Sequence, residues 1–175
     1  MNGTLVQTAR LQMRPMLQAD AAAFHALVTR PEVARMLYLF PMDWTLPEAE
    51  TFLDDWAWRG GLRFRLALIC GGEWAGWIGV SDGDEPEIFY ALRPEYAGHG
   101  LAREAVAGFT AFLFDRFAPK SLTAGVFADN PASARVLQAC GFSLLGEEMH
   151  QSRGRLAPAL AQVYRLSNPL QTVAT

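Results

Sequence analysis

Lysine is almost missing: of fifteen basic residues fourteen are arginine, and Lys120 stands alone in Ala118-Pro119-Lys120-Ser121. No glycine-rich run precedes Lys120, so neither a P-loop nor a Schiff-base lysine is available. Cysteine is scarce too. Cys70 and Cys140 make no disulfide framework and read as two buried thiols in a reducing compartment. His25, His99 and His150 are scattered, without the His/Cys spacing of a ligand set, so no metal is expected. No apolar run reaches the roughly 18 residues of a membrane span. The first segment, MNGTLVQTARLQMRPMLQAD, lacks the apolar region and cleavage site of a secretory signal, so a cytoplasmic location is expected. Nor is there an excess of positive charge. A net charge of −3 argues against nucleic acid or an anionic membrane as partner.

What is present fits one folded domain: 175 residues, 51% hydrophobic and 19% charged, with no linker, repeat or low-complexity tract. Leu5 to Met16 alternates and predicts a first strand. Asp20 is expected to cap an Ala-rich helix with Phe24, Leu27 and Val28 on one face, and a short helical piece follows over Glu32 to Leu37. Thr45-Leu46-Pro47-Glu48 is a capping box, predicting a helix to about Arg59 that buries Phe52, Leu53 and Trp56. Leu62 to Cys70 and Glu73 to Ser81 flank Gly71-Gly72 as a hairpin, and Pro86 to Leu92 extends the meander. The period then changes to that of a helix. Gly98 to Phe117 turns Leu101, Ala105, Phe109, Phe112 and Leu113 inward. Ser121 to Phe127 follows as a strand parallel to the third run, by the crossover rule. Asn130 and Pro131 open a helix burying Val136, Leu137 and Cys140, stopped by Gly141. Phe142 to Met149 and Ala159 to Leu166 close the domain as strands around a Ser152-Arg153-Gly154 turn. The domain is placed at residues 1–166, with a frayed tail at 167–175. The class is α+β with a mixed sheet.

Several short motifs bear on chemistry. Gly98-His99-Gly100-Leu101-Ala102 opens the long helix directly after a strand, an arrangement that aims backbone N–H groups at an anion. Arg103 replaces the third glycine of a dinucleotide fingerprint, and no acidic residue stands near Leu122 and Thr123, so a dinucleotide is disfavoured while another pyrophosphate stays open. Gly79-Val80-Ser81-Asp82-Gly83 matches G-x-S-x-G, and Ser81, Asp129 and His150 follow hydrolase order. The flanking strands, however, make a turn and not a nucleophile elbow. Glu87 lies in the strand Pro86 to Leu92 that precedes the glycine loop. Asn130 and Ser133 hold the N-cap and third position of the later helix, where capping already accounts for them.

Four blocks together carry a resemblance: Thr8-Ala9-Arg10-Leu11-Gln12-Met13-Arg14-Pro15, Glu87 through Tyr96, Gly98 through Ala105, and Asn130 through Leu137 with Gly141-Phe142. In this order they resemble the GNAT superfamily of acetyl-CoA-dependent N-acetyltransferases, in its RimJ/RimL-type branch, over Thr8 to Leu166. The resemblance implies a GNAT-like α+β fold, with a central, mostly antiparallel mixed sheet of about seven strands flanked by about four helices. It implies acetyl-CoA as cosubstrate without a metal, its pyrophosphate on Gly98, His99, Gly100, Leu101 and Ala102 with Arg103 as helper. Backbone groups of Tyr90 and Leu92 would pair with the pantetheine like an added strand, and Asn130, Ser133 and Arg135 would line its other side. Two positions depart from the pattern. Ala97 stands where Gln, Arg or Trp is usual and loosens one wall of the slot, and Phe89 replaces a common Gly and reshapes the acetyl end.

The chemistry this implies is direct attack of a primary amine on the thioester in a ternary complex. Glu87 is the expected base, acting through a water, and Ser133 the hydroxyl that returns a proton to the thiolate. Cys140, facing inward, is not expected to carry an acyl group. The acceptor, a protein N-terminus or a small amine, is left open, with Trp44, Trp56, Trp58, Glu147, Glu148 and His150 as candidate surroundings. A non-catalytic acyl-CoA sensor on the same fold is the alternative, and exposed strand edges are expected to favour a homodimer.

Overall fold

The computed structural model describes residues 3–169. The chain builds two antiparallel sheets. The first is ordered β1-β2-β3-β4-β5, from Val6–Gln7, Leu11–Pro15, Phe64–Cys70, Glu73–Val80 and Ile88–Leu92. The second is β6-β8-β7, from Ser121–Phe127, Ala159–Ser167 and Ser143–His150. Five α-helices join them: α1 (Ala21–Val28), α2 (Pro31–Ala34), α3 (Leu46–Asp55), α4 (Leu101–Phe117) and α5 (Pro131–Ala139). This is the expected α+β class. It holds eight strands where about seven were expected, and five helices where about four were, among the described residues.

The Gly71-Gly72 hairpin pairs Cys70 with Glu73 and sets the register of the first sheet. β3 is apolar along nearly its whole length because helices cover both of its faces. Phe64, Leu66 and Leu68 point to the side that holds Ala105, Phe109 and Leu113 of α4. Ala67 and Trp77 point to the other side, against Phe24 and Leu27 of α1 and Leu53 of α3. Period two in the strand and 3.6 in the helices thus divide one sequence between two cores.

Several expectations are corrected. The first strand is two, because Thr8 and Arg10 turn away to bond Glu104 Oε1 on α4, at 2.6 and 2.7 Å. Asp20 makes no side-chain cap; its carboxylate instead takes a two-pronged ion pair from Arg14, at 2.7 and 2.9 Å. The capping box of α3 is present, Thr45 N and Oγ1 both donating to Glu48 at 2.7 and 2.6 Å. The helix ends at Asp55, short of Arg59, because the Trp56 carbonyl is claimed by the Arg65 N–H of β3 (3.0 Å). Phe52 and Trp56 are only half-buried, as are Phe112, Val136 and Cys140; Val106 and Phe114 complete the inner face of α4. β8 continues to Ser167, and Asn168 donates to the Pro119 carbonyl (2.9 Å), so these two residues are held; 170–175 of the expected tail lie outside the described residues. Among the described residues no helix is long and apolar enough to cross a membrane.

Removing the α3 cap tests how far this layer depends on it. Thr45→Ala should lower stability by about 1 kcal/mol, a drop in melting temperature of roughly 2–4 °C at this size, without changing the far-ultraviolet spectrum.

Candidate active site

The two sheets touch at one place. Glu87 and Thr123 form a single parallel bridge, with the Thr123 N–H on the Pro86 carbonyl at 2.9 Å. The next donor along β6, the Gly125 N–H, bonds the Glu87 side chain at 3.1 Å. A carboxylate therefore stands where a parallel ladder would place a backbone carbonyl, and beyond it β5 and β6 separate. In the β4–β5 ladder Ser81 N bonds Glu87 O and Arg93 N bonds Ala75 O, each at 2.9 Å. Alternation from those two bonds turns the N–H and C=O groups of Tyr90 and Leu92 toward the open side.

The glycine loop closes one end of this gap. Gly98 and Gly100 have φ of +77° and +76°, which side-chain-bearing residues rarely adopt. Gly100 is the N-cap of α4 and supplies no side chain, so the N–H groups of the first turn have no side-chain partner. Arg10 pins the loop: Nη1 donates to the His99 carbonyl (2.8 Å), and Nε donates to Glu104 (2.7 Å). Nothing in the sequence marks Arg10 for this role beyond its place in the first of the four blocks.

A cavity of about 770 Å³ runs along the gap. Tyr90, Leu92 and Glu87 line it from β5 and the turn before it; Ala97, Gly98, Gly100, Leu101, Ala102 and Arg103 from the loop; Asn130, Ser133 and Arg135 from α5. His99 is the exception. It does not line the cavity, and its carbonyl accepts from Arg10.

A buried carboxyl and a hydrogen-bonded pair of hydroxyls sit in this cavity. Burial pushes the Glu87 carboxyl above the ordinary carboxylate range, while the Gly125 N–H works against that rise. The Tyr38 ring lies against His150 with centroids 3.9 Å apart and planes tilted by 35°, and both residues line the same cavity. A Cβ on Gly125 would fall 2.5 Å from the Tyr38 hydroxyl and 3.1 Å from Glu87 Oε1, so glycine is required there. Across the gap, Tyr90 Oη and Ser133 Oγ share a hydrogen bond of 2.7 Å. The Ser133 N–H is taken by the Asn130 cap (3.3 Å), and burial pushes the Tyr90 hydroxyl up to about 12. The Tyr90 side chain and Tyr38 were missed in the sequence, where Tyr90 counted only for its backbone; no local spacing marks either.

The hydrolase alternative is unmade. Ser81 Oγ accepts from Glu87 N (2.9 Å) inside the turn, and Asp129 is held by Arg35 and Arg155, both at 2.7 Å. Trp58 packs against Phe64 and Phe112 in the α4 core, away from the cavity, whereas Trp56 lines it.

Residues 10–143 match the acetyltransferase (GNAT) domain. The chain belongs to the GNAT acetyltransferase family. Among the curated relatives of this GNAT chain, the uncharacterized N-acetyltransferase YoaA of Bacillus subtilis (strain 168) is 28% identical, over 94% of this chain and 97% of its own. Among solved structures, spermidine N-acetyltransferase from Vibrio cholerae, in complex with CoA and spermine, superposes with a TM-score of 0.79 at 14% identity, covering 92% of this chain and 97% of that one. RimL, a ribosomal L7/L12 alpha-N-protein acetyltransferase in complex with coenzyme A, gives 0.77 at 16% identity, covering 94% and 98%. At those identities the likeness is one of fold.

A raised Glu87 carboxyl binds its proton more tightly in the folded chain than in the unfolded one. Its ionisation therefore subtracts stability as pH rises above the ordinary carboxylate value. Glu87→Gln should melt higher than the parent at pH 8, and the difference should vanish at pH near 3, where the parent carboxyl is protonated in both states. Melting curves across pH read this directly; equal temperatures at pH 8 would contradict it.

Proposed function

We propose that this protein is an N-acetyltransferase of the RimJ/RimL type, moving the acetyl group of acetyl-CoA to a primary amine by direct attack in a ternary complex. One observation carries the reading. The open edge of β5, the glycine loop, the Glu87 carboxyl and the Tyr90–Ser133 hydroxyl pair all line one cavity. No observation favours the non-catalytic alternative.

The cavity fits the cosubstrate's chemistry. The glycine loop and Arg103 offer a pyrophosphate N–H groups and positive charge, with Arg135 opposite. The edge groups of Tyr90 and Leu92 accept an extended pantetheine as an added strand. Acetyl-CoA supplies the thioester; this chain supplies position and proton transfer.

An aliphatic amine with pKa near about 10 must shed a proton to attack. Glu87 takes it through a water, and a carboxyl raised by burial is better matched to that task than an exposed one. The open N–H of β5 near Tyr90 polarises the thioester carbonyl. Tyr90 and Ser133 act as one unit, the tyrosine hydroxyl delivering the proton to the departing thiolate and Ser133 holding it in line. Burial keeps that hydroxyl protonated at physiological pH, so the proton is in place. A cytoplasmic location and a homodimer belong to the same reading. Edge strand β7, with Leu144, Leu145 and Met149 exposed, supports pairing of two copies.

Thiol release from acetyl-CoA with a panel of amines tests the whole. Glu87→Gln should lower kcat by about 10²–10⁴ and remove the rise of kcat/KM with pH, with acetyl-CoA affinity kept. Tyr90→Phe should lower kcat by about tenfold or more with the same affinity. Gly100→Glu sets a carboxylate among the phosphates and should abolish acetyl-CoA binding in a folded protein. Unchanged kcat in Glu87→Gln would remove the base.

A further inference from the structure

Arg65 is 1% exposed, and it sits on β3 opposite Gly79 of β4. A Cβ on Gly79 would fall 2.7 Å from Arg65 Cγ and 2.6 Å from a Phe89 ring carbon, so the glycine is what lets the arginine cross the sheet. The guanidinium carbon then lies 3.9 Å from the Trp56 ring centre, 4.4 Å from Phe52, 4.5 Å from Phe89 and 5.0 Å from Trp77. These rings meet the cation with their π-electrons. They accept none of its in-plane N–H groups, and Arg65 Nε and Nη1 have no hydrogen-bond partner. Burial, with Arg63 adding repulsion, holds this guanidinium well below its usual pKa. Packing alone would be served by leucine or methionine, which leave no donor unmade.

The arginine lines the same cavity as Glu87. Gly79, its partner, pairs onward with Phe89, which lies two residues from Glu87 along one strand, about 7 Å by strand rise. Phe89, expected to reshape the acetyl end, therefore walls the space between the base and the arginine. A ligand spanning the two is compact, with an amine at one end and an anion a few bonds away. A planar carboxylate carries one charge for one guanidinium and presents its two oxygens to the fork. A phosphate dianion would leave excess negative charge beside a single buried guanidinium, in a cavity that Glu87 also lines.

We propose that Arg65, held in its aromatic box, is the specificity residue of the acceptor site and selects amines that carry a carboxylate, amino acids rather than plain amines or polyamines. The inference rests on the acetyltransferase reading for the amine, and on Arg65 alone for the carboxylate.

Trp56 and Trp77 report on the box. The intact protein, without acetyl-CoA, is titrated with a panel of free α-amino acids, their carboxamides and inorganic phosphate while tryptophan emission is followed. At least one amino acid should bind about tenfold or more tighter than its own carboxamide. That preference should fall below about twofold in Arg65→Gln or Arg65→Met. The comparison of acid with amide in the native protein stands even where those variants fail to fold. Equal affinities for every acid and its amide, no binding by any amino acid, or tighter binding of phosphate would each overturn the proposal. Because this titration omits acetyl-CoA, its failure is separate from a failure to bind the cosubstrate.

Discussion

The Gly125 N–H of β6 bonds the carboxylate of Glu87, where a continued parallel ladder would give it a backbone carbonyl of β5. That bond ends the parallel ladder after one bridge. Pairing continued by another residue or two would turn the N–H and C=O groups of Tyr90 and Leu92 into ordinary sheet bonds, and no slot would exist. The same bond fixes Glu87 at the mouth of the gap and buries it. Fold and chemistry therefore share an interaction: the side chain that pries the sheets apart is the one proposed to take the proton.

The rest of the structure serves that opening from two sides. On one face α4 packs over Phe64, Leu66 and Leu68 and presents its glycine-capped N-terminus to the gap, with Arg10 tying the loop to the first strands. On the other, α1 and α3 enclose an aromatic cluster around Phe24, Phe40 and Trp77. Alternation along β5 sends Tyr90 to one side and Phe89 to the other, so neighbouring residues serve different halves of the proposed reaction. In the proposed reaction the tyrosine would serve the leaving thiolate, and the phenylalanine would face the acceptor. Arg65 sits in the second half, paired across the sheet with a glycine.

Much of this is legible in the chain. The Gly71-Gly72 hairpin, the α3 capping box and the amphipathic α4 each rest on local chemistry, and each is present near its expected place. The loop and Asn130 cap are legible for the same reason. Harder to read was anything set by a distant partner. The early end of α3 depends on the Arg65 N–H, and the split first strand on Glu104, 94 positions from Arg10. Arg65 itself looks like an ordinary strand residue until register places it opposite Gly79 and among five rings. Tyr90 and Ser133, 43 positions apart, could each be named, but their hydrogen bond belongs to tertiary structure alone.

The central claim is that the gap between β5 and β6 is a slot for acetyl-CoA. The most direct measurement is the shift in melting temperature with acetyl-CoA, with NADH as the control nucleotide. At a concentration of 100 Kd linkage gives about 2.7 kcal/mol, or roughly 5–11 °C for a domain of this size. The account predicts that shift with acetyl-CoA and none with NADH. No shift with acetyl-CoA, or an equal one with both, would contradict it.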